Sequence, residues 1–224
     1  MAAREDKRRI LLVDDHPIVR QGLAELIDAE KDLTVSGTAD SMNAALEQMP
    51  ALKPDLVVVD ISLKGSNGIE LLKNIKVRYP KMKVLMLSMH DEGLYAIRAL
   101  RAGASGYIMK QEATEKVIEA ARKVLNGEIY LSDKMEKKMM QQLVGGRTAR
   151  TGSPLEDLSD RELEVFNLIG QGKGTRQIAE ELHLSIKTVE SHRAHIKEKL
   201  GLKSATELVQ HAIQWRDAEA SGSA

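Results

Sequence analysis

The chain has 224 residues, 33 basic and 33 acidic side chains, and no cysteine. That length allows one large domain or two small ones. With 42% apolar and 29% charged residues, it can build proper cores and is not globally disordered. The lack of cysteine excludes disulfides, thiolate metal sites and a cysteine nucleophile. The longer apolar runs, such as 10–13 and 56–59, fall far short of the roughly 18 residues of a membrane span. The mixed-charge segment 1–9 lacks the apolar core of a secretory signal. A soluble, cytoplasmic protein that avoids membranes is expected.

In chain order, short apolar runs rich in β-branched residues occur at 9–13, 33–38, 56–61, 83–89 and 106–109. Stretches with helical spacing separate them at 17–28, 41–49, 69–78, 93–102 and 113–125. This alternation predicts βαβ units and a doubly wound α/β domain with a five-stranded parallel sheet. The runs 56–59 and 84–87 are apolar without alternation, as strands buried on both faces are. A helix is expected over 132–143. Segment 144–157 has the Gly, Ser and Thr content of a linker. Beyond it no strand pattern returns, and helices are predicted at 160–171, 175–182, 186–200 and 204–215, with a capping box at Ser159 and Glu162. Residues 218–224 are small and polar, the composition of a fraying end.

Charge is balanced in both parts: 19 basic and 19 acidic groups in 1–130, 14 and 14 in 131–224. Within 171–203, however, seven Lys/Arg face four Glu, and three of the six histidines lie there. A local basic face on a neutral protein is what a modest phosphate footprint looks like.

Ligands of open parallel sheets bind beyond the carboxyl ends of the strands. Strand one ends in Asp14-Asp15, strand three in Asp60 and strand four in Ser88, while Lys110 follows strand five. Three converging carboxylates repel one another and call for a cation, and an all-oxygen set that keeps waters suits Mg²⁺. One carboxylate could then be the nucleophile toward a phosphoryl group, with Lys110 and Ser88 on its oxygens. Singly, a strand-end Asp more often caps a turn, but five suitable residues at these strand ends are hard to read that way.

Val13-Asp14-Asp15-His16-Pro17, Val59-Asp60-Ile61-Ser62-Leu63 with Gly68, Leu87-Ser88 and Gly103-Ala104-Ser105-Gly106-Tyr107-Ile108-Met109-Lys110 resemble the receiver domain of two-component response regulators, over 8–128. The resemblance implies a flavodoxin-like (βα)5 fold with Asp60 as the phosphoacceptor that becomes a 4-aspartylphosphate. Asp15 would be the direct Mg²⁺ ligand, Asp14 its water-mediated companion, and the Ser62 carbonyl would complete the shell. Ser88 is implied as the switch hydroxyl, Tyr107 as the switch aromatic and Lys110 as the phosphate-binding lysine. Tyr107 is also readable as an ordinary strand tyrosine. Three departures stand out. Gln111 replaces a common proline, Met89 is large enough to restrict access to Asp60, and Ser62 and His90 occupy variable positions that bear on phosphoryl lifetime.

In 178–201, Ile178, Ala179, Leu182, Leu184, Ile186, Val189, Ile196 and Leu200 make one core face. The opposite face of 186–200 carries Lys187, Thr188, Glu190, Ser191, Arg193, Ala194, His195 and Lys197, a set that suits the DNA major groove. Thr188-Val189-x-x-His192 and Lys199-Leu200-Gly201 resemble the NarL/FixJ (LuxR-type) helix-turn-helix, a four-helix DNA-binding domain expected over 158–219 after a linker at 129–157. The resemblance makes 186–200 the recognition helix. It implies Thr188, His192 and Lys197 as phosphate contacts, with Lys187, Glu190, Ser191, Ala194 and His195 placed for base edges. Glu190 and Ala194 stand where several relatives have lysine, so base preference and salt dependence would differ. Leu208, Ile213 and Trp215 are candidates for a dimer contact, with Trp215 equally readable as core.

The implied function is a DNA-binding transcription factor switched by phosphorylation of Asp60 from a partner sensor histidine kinase. It would be a homodimer when phosphorylated or on double-stranded operator half-sites. The receiver would mask 186–200 until phosphorylated. Beyond its own phosphoryl transfer and dephosphorylation it would not be an enzyme. Two alternatives stay open: a phosphate-independent DNA-binding regulator whose receiver only contacts partners, and a phosphotransferase or phosphatase turning over on Asp60.

Overall fold

A computed structural model of the chain describes residues 7–63, 66–89, 92–144 and 154–221. The chain divides into two compact units, residues 1–140 and 141–224. Most of the expected linker (145–153), His90, and the last three residues lie outside the described residues.

In the first unit, β1 (Arg8–Val13), β2 (Leu33–Ala39), β3 (Leu56–Asp60), β4 (Lys83–Ser88) and β5 (Gly106–Met109) form one parallel sheet in the order β2-β1-β3-β4-β5. The order reverses beside β1, so a crevice opens at the carboxyl ends of β1 and β3. The connecting helices are α1 (Pro17–Asp28), α2 (Met42–Leu52), α3 (Gly68–Arg78), α4 (Glu92–Arg101) and α5 (Lys110–Leu125). Their starts follow local chemistry. Pro17 opens α1, where its missing N–H costs nothing. Ser41 and Asn67 cap α2 and α3 through their side-chain oxygens. The strands are buried because both faces are covered: every residue of β3 is buried, and Ile10, Leu12, Leu56, Val58, Leu85 and Leu87 join Leu23, Ile27, Val117 and Val124 in one core. This is the expected doubly wound α/β architecture.

After α5 the chain does not leave the unit at once. Tyr130 and Leu131 are buried, and Tyr130 lies parallel beside Gly106. The Tyr107 N–H donates to the Tyr130 carbonyl at 2.8 Å and the Tyr130 N–H to that of Ser105 at 3.2 Å. A short piece of the segment read as linker therefore borders β5. It then enters α6 (Asp133–Val144), whose Met135 is buried.

The second unit is helical: a 3-10 turn at Pro154–Asp157, then α7 (Asp160–Gly170), α8 (Thr175–Glu181), α9 (Ile186–Leu200) and α10 (Ala205–Ser221). The capping box at Ser159 and Glu162 is formed. Between α8 and α9, His183 takes a left-handed φ of 51° and the Leu184 N–H returns to the Ala179 carbonyl at 2.8 Å. Ser185 then caps α9 by accepting from the Thr188 N–H at 3.0 Å. Two outcomes differ from the sequence expectation. α10 continues to Ser221, into the segment expected to fray. Leu208, a candidate for a dimer contact, is fully buried on a helix that packs against α7. Trp215 is half-buried with its ring 5.7 Å from that of Phe166, so it too belongs largely to the fold.

Candidate functional site

The acidic site forms where β1, β3 and β5 end. Asp14 leaves β1 with its N–H bonded to the Ala39 carbonyl at 3.1 Å, and Asp60 is the last residue of β3. Each is 1% exposed. Lys110, the first residue of α5, crosses from the far strand and places Nζ 2.6 Å from Asp60 Oδ2 and 2.7 Å from Asp14 Oδ2. Burial, reinforced by the Asp14 charge, pushes the Asp60 carboxyl up to about 7, against the pull of Lys110. Burial alone would push the Lys110 ammonium down, but Asp60 and Asp14 together outweigh it and its pKa ends raised. The Ser62 N–H donates to the Asp60 carboxylate, so the turn after β3 holds the carboxyl in place.

Ser88 ends β4, fully buried, and Tyr107 lies inside β5, also fully buried. Ser62 is half-buried and pairs with Asn67 in a two-residue antiparallel ladder. The structure thus brings Asp14, Asp15 and Asp60 together with Lys110. Met89, expected to screen Asp60, is 59% exposed and lines a groove between α1 and α5 with Ile18, Leu26 and Ala113.

Two neighbours were not singled out from the sequence. His16 Nδ1 lies 2.7 Å from Asp15 Oδ1 and 3.1 Å from Asp14 Oδ1, and Arg20 donates to the Asp14 backbone carbonyl. The only available signal was adjacency: His16 directly follows the carboxylate pair, and Arg20 lies one helical turn beyond it. Asp14, Asp15, His16 and Asp60 can bring one donor atom each to within 4.8 Å of one another. Asp14 Oδ2 and Asp15 Oδ1 stand at ion-pair distance from Lys110 and His16, but accept no well-formed hydrogen bond among the described residues. Spare acceptor capacity on buried carboxylate oxygens fits a hard divalent cation such as Mg²⁺.

The second unit presents a different surface. On α9, Val189 and Ile196 are buried; Lys187, Glu190, Ser191, Ala194 and His195 are exposed; Thr188, His192, Arg193 and Lys197 are half-buried. Among the residues expected at DNA, the exposed set is the group expected at base edges, and three of the half-buried four are the expected phosphate contacts. The Thr188 hydroxyl is 2.7 Å from that of Ser185, which fixes its rotamer at the helix start. Burial lowers the His192 pKa. Burial also lowers that of Arg193, which stays charged.

Glu162 was legible only as a cap and does more. It is 4% exposed, accepts from the Ser159 N–H at 2.7 Å and from Lys199 Nζ at 2.6 Å, and has His195 Nδ1 3.7 Å away. One carboxylate therefore caps α7 and ties it to the last turn of α9. Burial alone would raise its pKa, but Lys199 and the Ser159 N–H outweigh burial and hold it below the ordinary value. Its stabilising effect is present above the unfolded pKa of 4.5 and is lost as pH falls through the lower folded value. Glu162→Ala is expected to cost roughly 2–4 kcal/mol, because both partners lose a buried anion. Urea unfolding followed by Trp215 fluorescence at pH 7 measures it; a loss under about 0.5 kcal/mol, the scale of an exposed pair, would show that the network does not carry the α7–α9 contact.

Known proteins place these two sites in a single family. The family described as "Response regulator receiver domain" matches residues 10–122, and that described as "Bacterial regulatory proteins, luxR family" matches residues 156–212. The oxygen regulatory protein NreC of Staphylococcus aureus is 38% identical over 210 residues, covering 92% of this chain and 97% of its own. Among solved structures, RcsB of Salmonella enterica serovar Typhimurium, bound to the promoter P1flhDC with the phosphomimetic BeF3⁻, is 26% identical with a TM-score of 0.60, covering 92% of this chain and 98% of its own. A LuxR-family two-component response regulator from Aurantimonas is 32% identical with a TM-score of 0.58, over 62% of this chain and 99% of its own. With a receiver sheet carrying a buried Asp–Lys cluster and a luxR-type helical domain on one chain, the protein belongs to the DNA-binding two-component response regulators of the luxR family.

Proposed function

We propose that phosphorylation of Asp60 by a partner sensor histidine kinase switches DNA binding through α9, with the receiver spanning 8–128, a connection at 129–157 and the DNA-binding domain at 158–219. The observation that carries the reading is the buried contact of Lys110 with both Asp60 and Asp14. A lysine held between a strand-end carboxylate and its neighbour is poised to bind the oxygens of a phosphoryl group transferred to that carboxylate. An Asp60 oxygen attacks the phosphorus, the bond to the donor's nitrogen breaks with its electron pair leaving on the nitrogen, and Lys110 and the Ser88 hydroxyl receive the phosphoryl oxygens. Asp14, Asp15, Asp60 and the Ser62 carbonyl are the residues that would hold Mg²⁺, which supplies charge neutralisation at those oxygens. Tyr107 reports the change, since it shares β5 with the approach to Lys110 and bonds the Tyr130 carbonyl through its own N–H.

On the DNA side, Lys187, Glu190, Ser191, Ala194 and His195 face base edges, while Thr188, His192, Arg193 and Lys197 sit along the phosphates. RcsB is solved on promoter DNA with a phosphate mimic, which supports DNA binding here; the chain would bind paired half-sites as a homodimer. The location is the cytoplasm; among the described residues no helix is long and apolar enough to cross a membrane.

The test is intact mass after incubation with Mg²⁺ and a small phosphodonor, beside Asp60→Asn. One phosphoryl group on wild type and none on the variant is expected, with tighter operator binding by the phosphorylated form. Equal operator affinity in both states would remove receiver masking of 186–200. No phosphorylation, and no response to a phosphate mimic, would favour the phosphate-independent regulator.

A further inference from the structure

The chain that leaves α5 is fastened to two elements at once. Tyr130 is buried and runs parallel beside Gly106 on β5, the edge strand of the sheet. Main-chain bonds run from the Tyr107 N–H to its carbonyl at 2.8 Å and from its own N–H to the Ser105 carbonyl at 3.2 Å. The approach is close: a Cβ at Gly106 would stand 3.0 Å from both the Tyr130 Cβ and the Tyr130 carbonyl oxygen. Further on, the hydroxyl of the half-buried Ser132 donates to Glu92 Oε2, in the first turn of α4. The same hydroxyl accepts from the Met135 N–H at 3.2 Å, and the Ser132 carbonyl accepts from the Glu136 N–H at 2.9 Å. Ser132 is therefore also the cap from which α6 starts.

We propose that Ser132 and Glu92 form a latch that holds the start of α6 on the first unit and, resting on Asp60 as the phosphoacceptor, that phosphorylation opens it. The strap 130–132 is anchored on β5 through Tyr130 and on α4 through Ser132, so a shift of α4 relative to β5 must be taken up at one of the two anchors. Ser88, whose hydroxyl receives the phosphoryl oxygens, ends β4 fully buried, and Glu92 follows it by four residues. Drawing Ser88 toward Asp60 moves the chain that carries Glu92. The anchors are unequal. Tyr130 is held by two main-chain bonds, which survive a new Tyr107 rotamer because they use backbone groups, whereas Ser132 meets α4 through one hydroxyl. A hydroxyl–carboxylate bond spans about 2.5–2.7 Å, so roughly 1 Å of travel ends it. Once it is gone, Ser132 loses the acceptor that orients it, and the first turn of α6 is left to a weaker cap. The helix that loosens is the one through which the chain passes on to the DNA-binding unit.

Hydrogen exchange of the full chain, read by mass spectrometry on peptides from 129–140, tests the latch with Glu92→Ala and Ser132→Asp. The first variant keeps the Ser132 cap; the second keeps a favoured cap residue but sets a second carboxylate against Glu92. Without phosphorylation, both are expected to exchange the amides of 133–140 on the order of tenfold faster than wild type, with peptides from β3 unchanged. Wild type incubated with Mg²⁺ and a small phosphodonor, its added phosphoryl group verified by intact mass, is expected to show the same acceleration, and the variants little further change. Variants that exchange as slowly as wild type would overturn the latch. A phosphorylated wild type whose 133–140 amides stay slow would overturn its opening and leave Asp60 standing as the phosphoacceptor. A wild type that gains no mass would refute phosphoryl transfer to Asp60 and the opening with it, while the variants still decide whether the latch holds α6.

Discussion

Gly68→Ala is expected to cost on the order of 3–5 kcal/mol and to abolish phosphorylation of Asp60, although residue 68 contributes no functional group. A Cβ at this position would overlap the Asp60 carbonyl oxygen and lie 2.8 Å from both the Asp60 carbonyl carbon and Ile61 Cα. These are backbone atoms, which cannot swing aside as the end of a side chain does. The segments can separate only by breaking the 2.7 Å bond from the Gly68 N–H to the Ile61 carbonyl and shifting the strand end that aims the Asp60 carboxyl at Lys110. Overpacking against fixed backbone lies at the costly end of single substitutions. Gly22→Ala is the control: nothing lies within 4 Å of its Cβ and it sits inside α1, so a gain of roughly 0.5–1 kcal/mol is expected. Urea unfolding followed by tyrosine fluorescence reads the first unit, because Tyr79, Tyr95, Tyr107 and Tyr130 all lie there. A Gly68→Ala protein of wild-type stability that still accepts a phosphoryl group would refute the close-approach argument.

That glycine illustrates what the sequence makes legible and what it withholds. The parallel sheet was readable because its strands are buried on both faces, and unbroken apolar runs such as 56–59 encode that burial directly. The cluster at its carboxyl end was readable for a related reason: charged side chains directly after apolar runs have few places to go except the crevice. Element ends were less legible. α5 begins at Lys110, three residues before the expected start, with Met109 as an N-cap that makes no side-chain bond, so no capping signal was there to read. α2 runs through Pro50 to Leu52, since a proline near the end of a helix breaks little of the ladder. The border of 129–131 on β5 depends on pairing with Gly106, a contact between residues far apart in the chain that no local pattern announces.

Within the sites, residue type and strand position identified Asp14, Asp15, Asp60 and Lys110. The roles of His16, Arg20 and the second task of Glu162 could not be found that way, because each depends on a side-chain direction that tertiary packing selects. The same holds for α9: periodicity separated Val189 and Ile196 from the outer face, but it could not divide that face into exposed residues and half-buried ones such as His192. The alternation of burial along α9 follows how it lies against α7 and α8.

Asp60→Asn is expected to make the first unit more stable at pH 8 in the presence of a chelator, and no more stable than wild type at pH 4. The folded Asp60 carboxyl titrates near 7 against an ordinary value of 3.8, chiefly because it is buried. Below about pH 4 the carboxyl is protonated in both states and burial carries no charge penalty. As pH rises from 4 toward 7, the unfolded chain releases the proton while the folded chain retains it, so stability falls across that window. Above 7 the folded state holds a buried anion and the full penalty applies. At 1.36 kcal/mol for each pH unit, the shift sets a ceiling of roughly 4 kcal/mol. A gain of about 1–3 kcal/mol is the realistic expectation, since Lys110 keeps only Asp14 as a partner in the variant. Divalent cation should narrow the difference by offsetting the Asp60 charge, which wild type alone carries. Tyrosine-detected urea unfolding of both proteins between pH 4 and 8, with and without Mg²⁺, checks the sign and the window. Equal stability at pH 8 in chelator would mean that Lys110 already compensates the buried charge; a gain that vanishes with Mg²⁺ would show that the acidic site is a folding cost relieved by the ion it is built to hold.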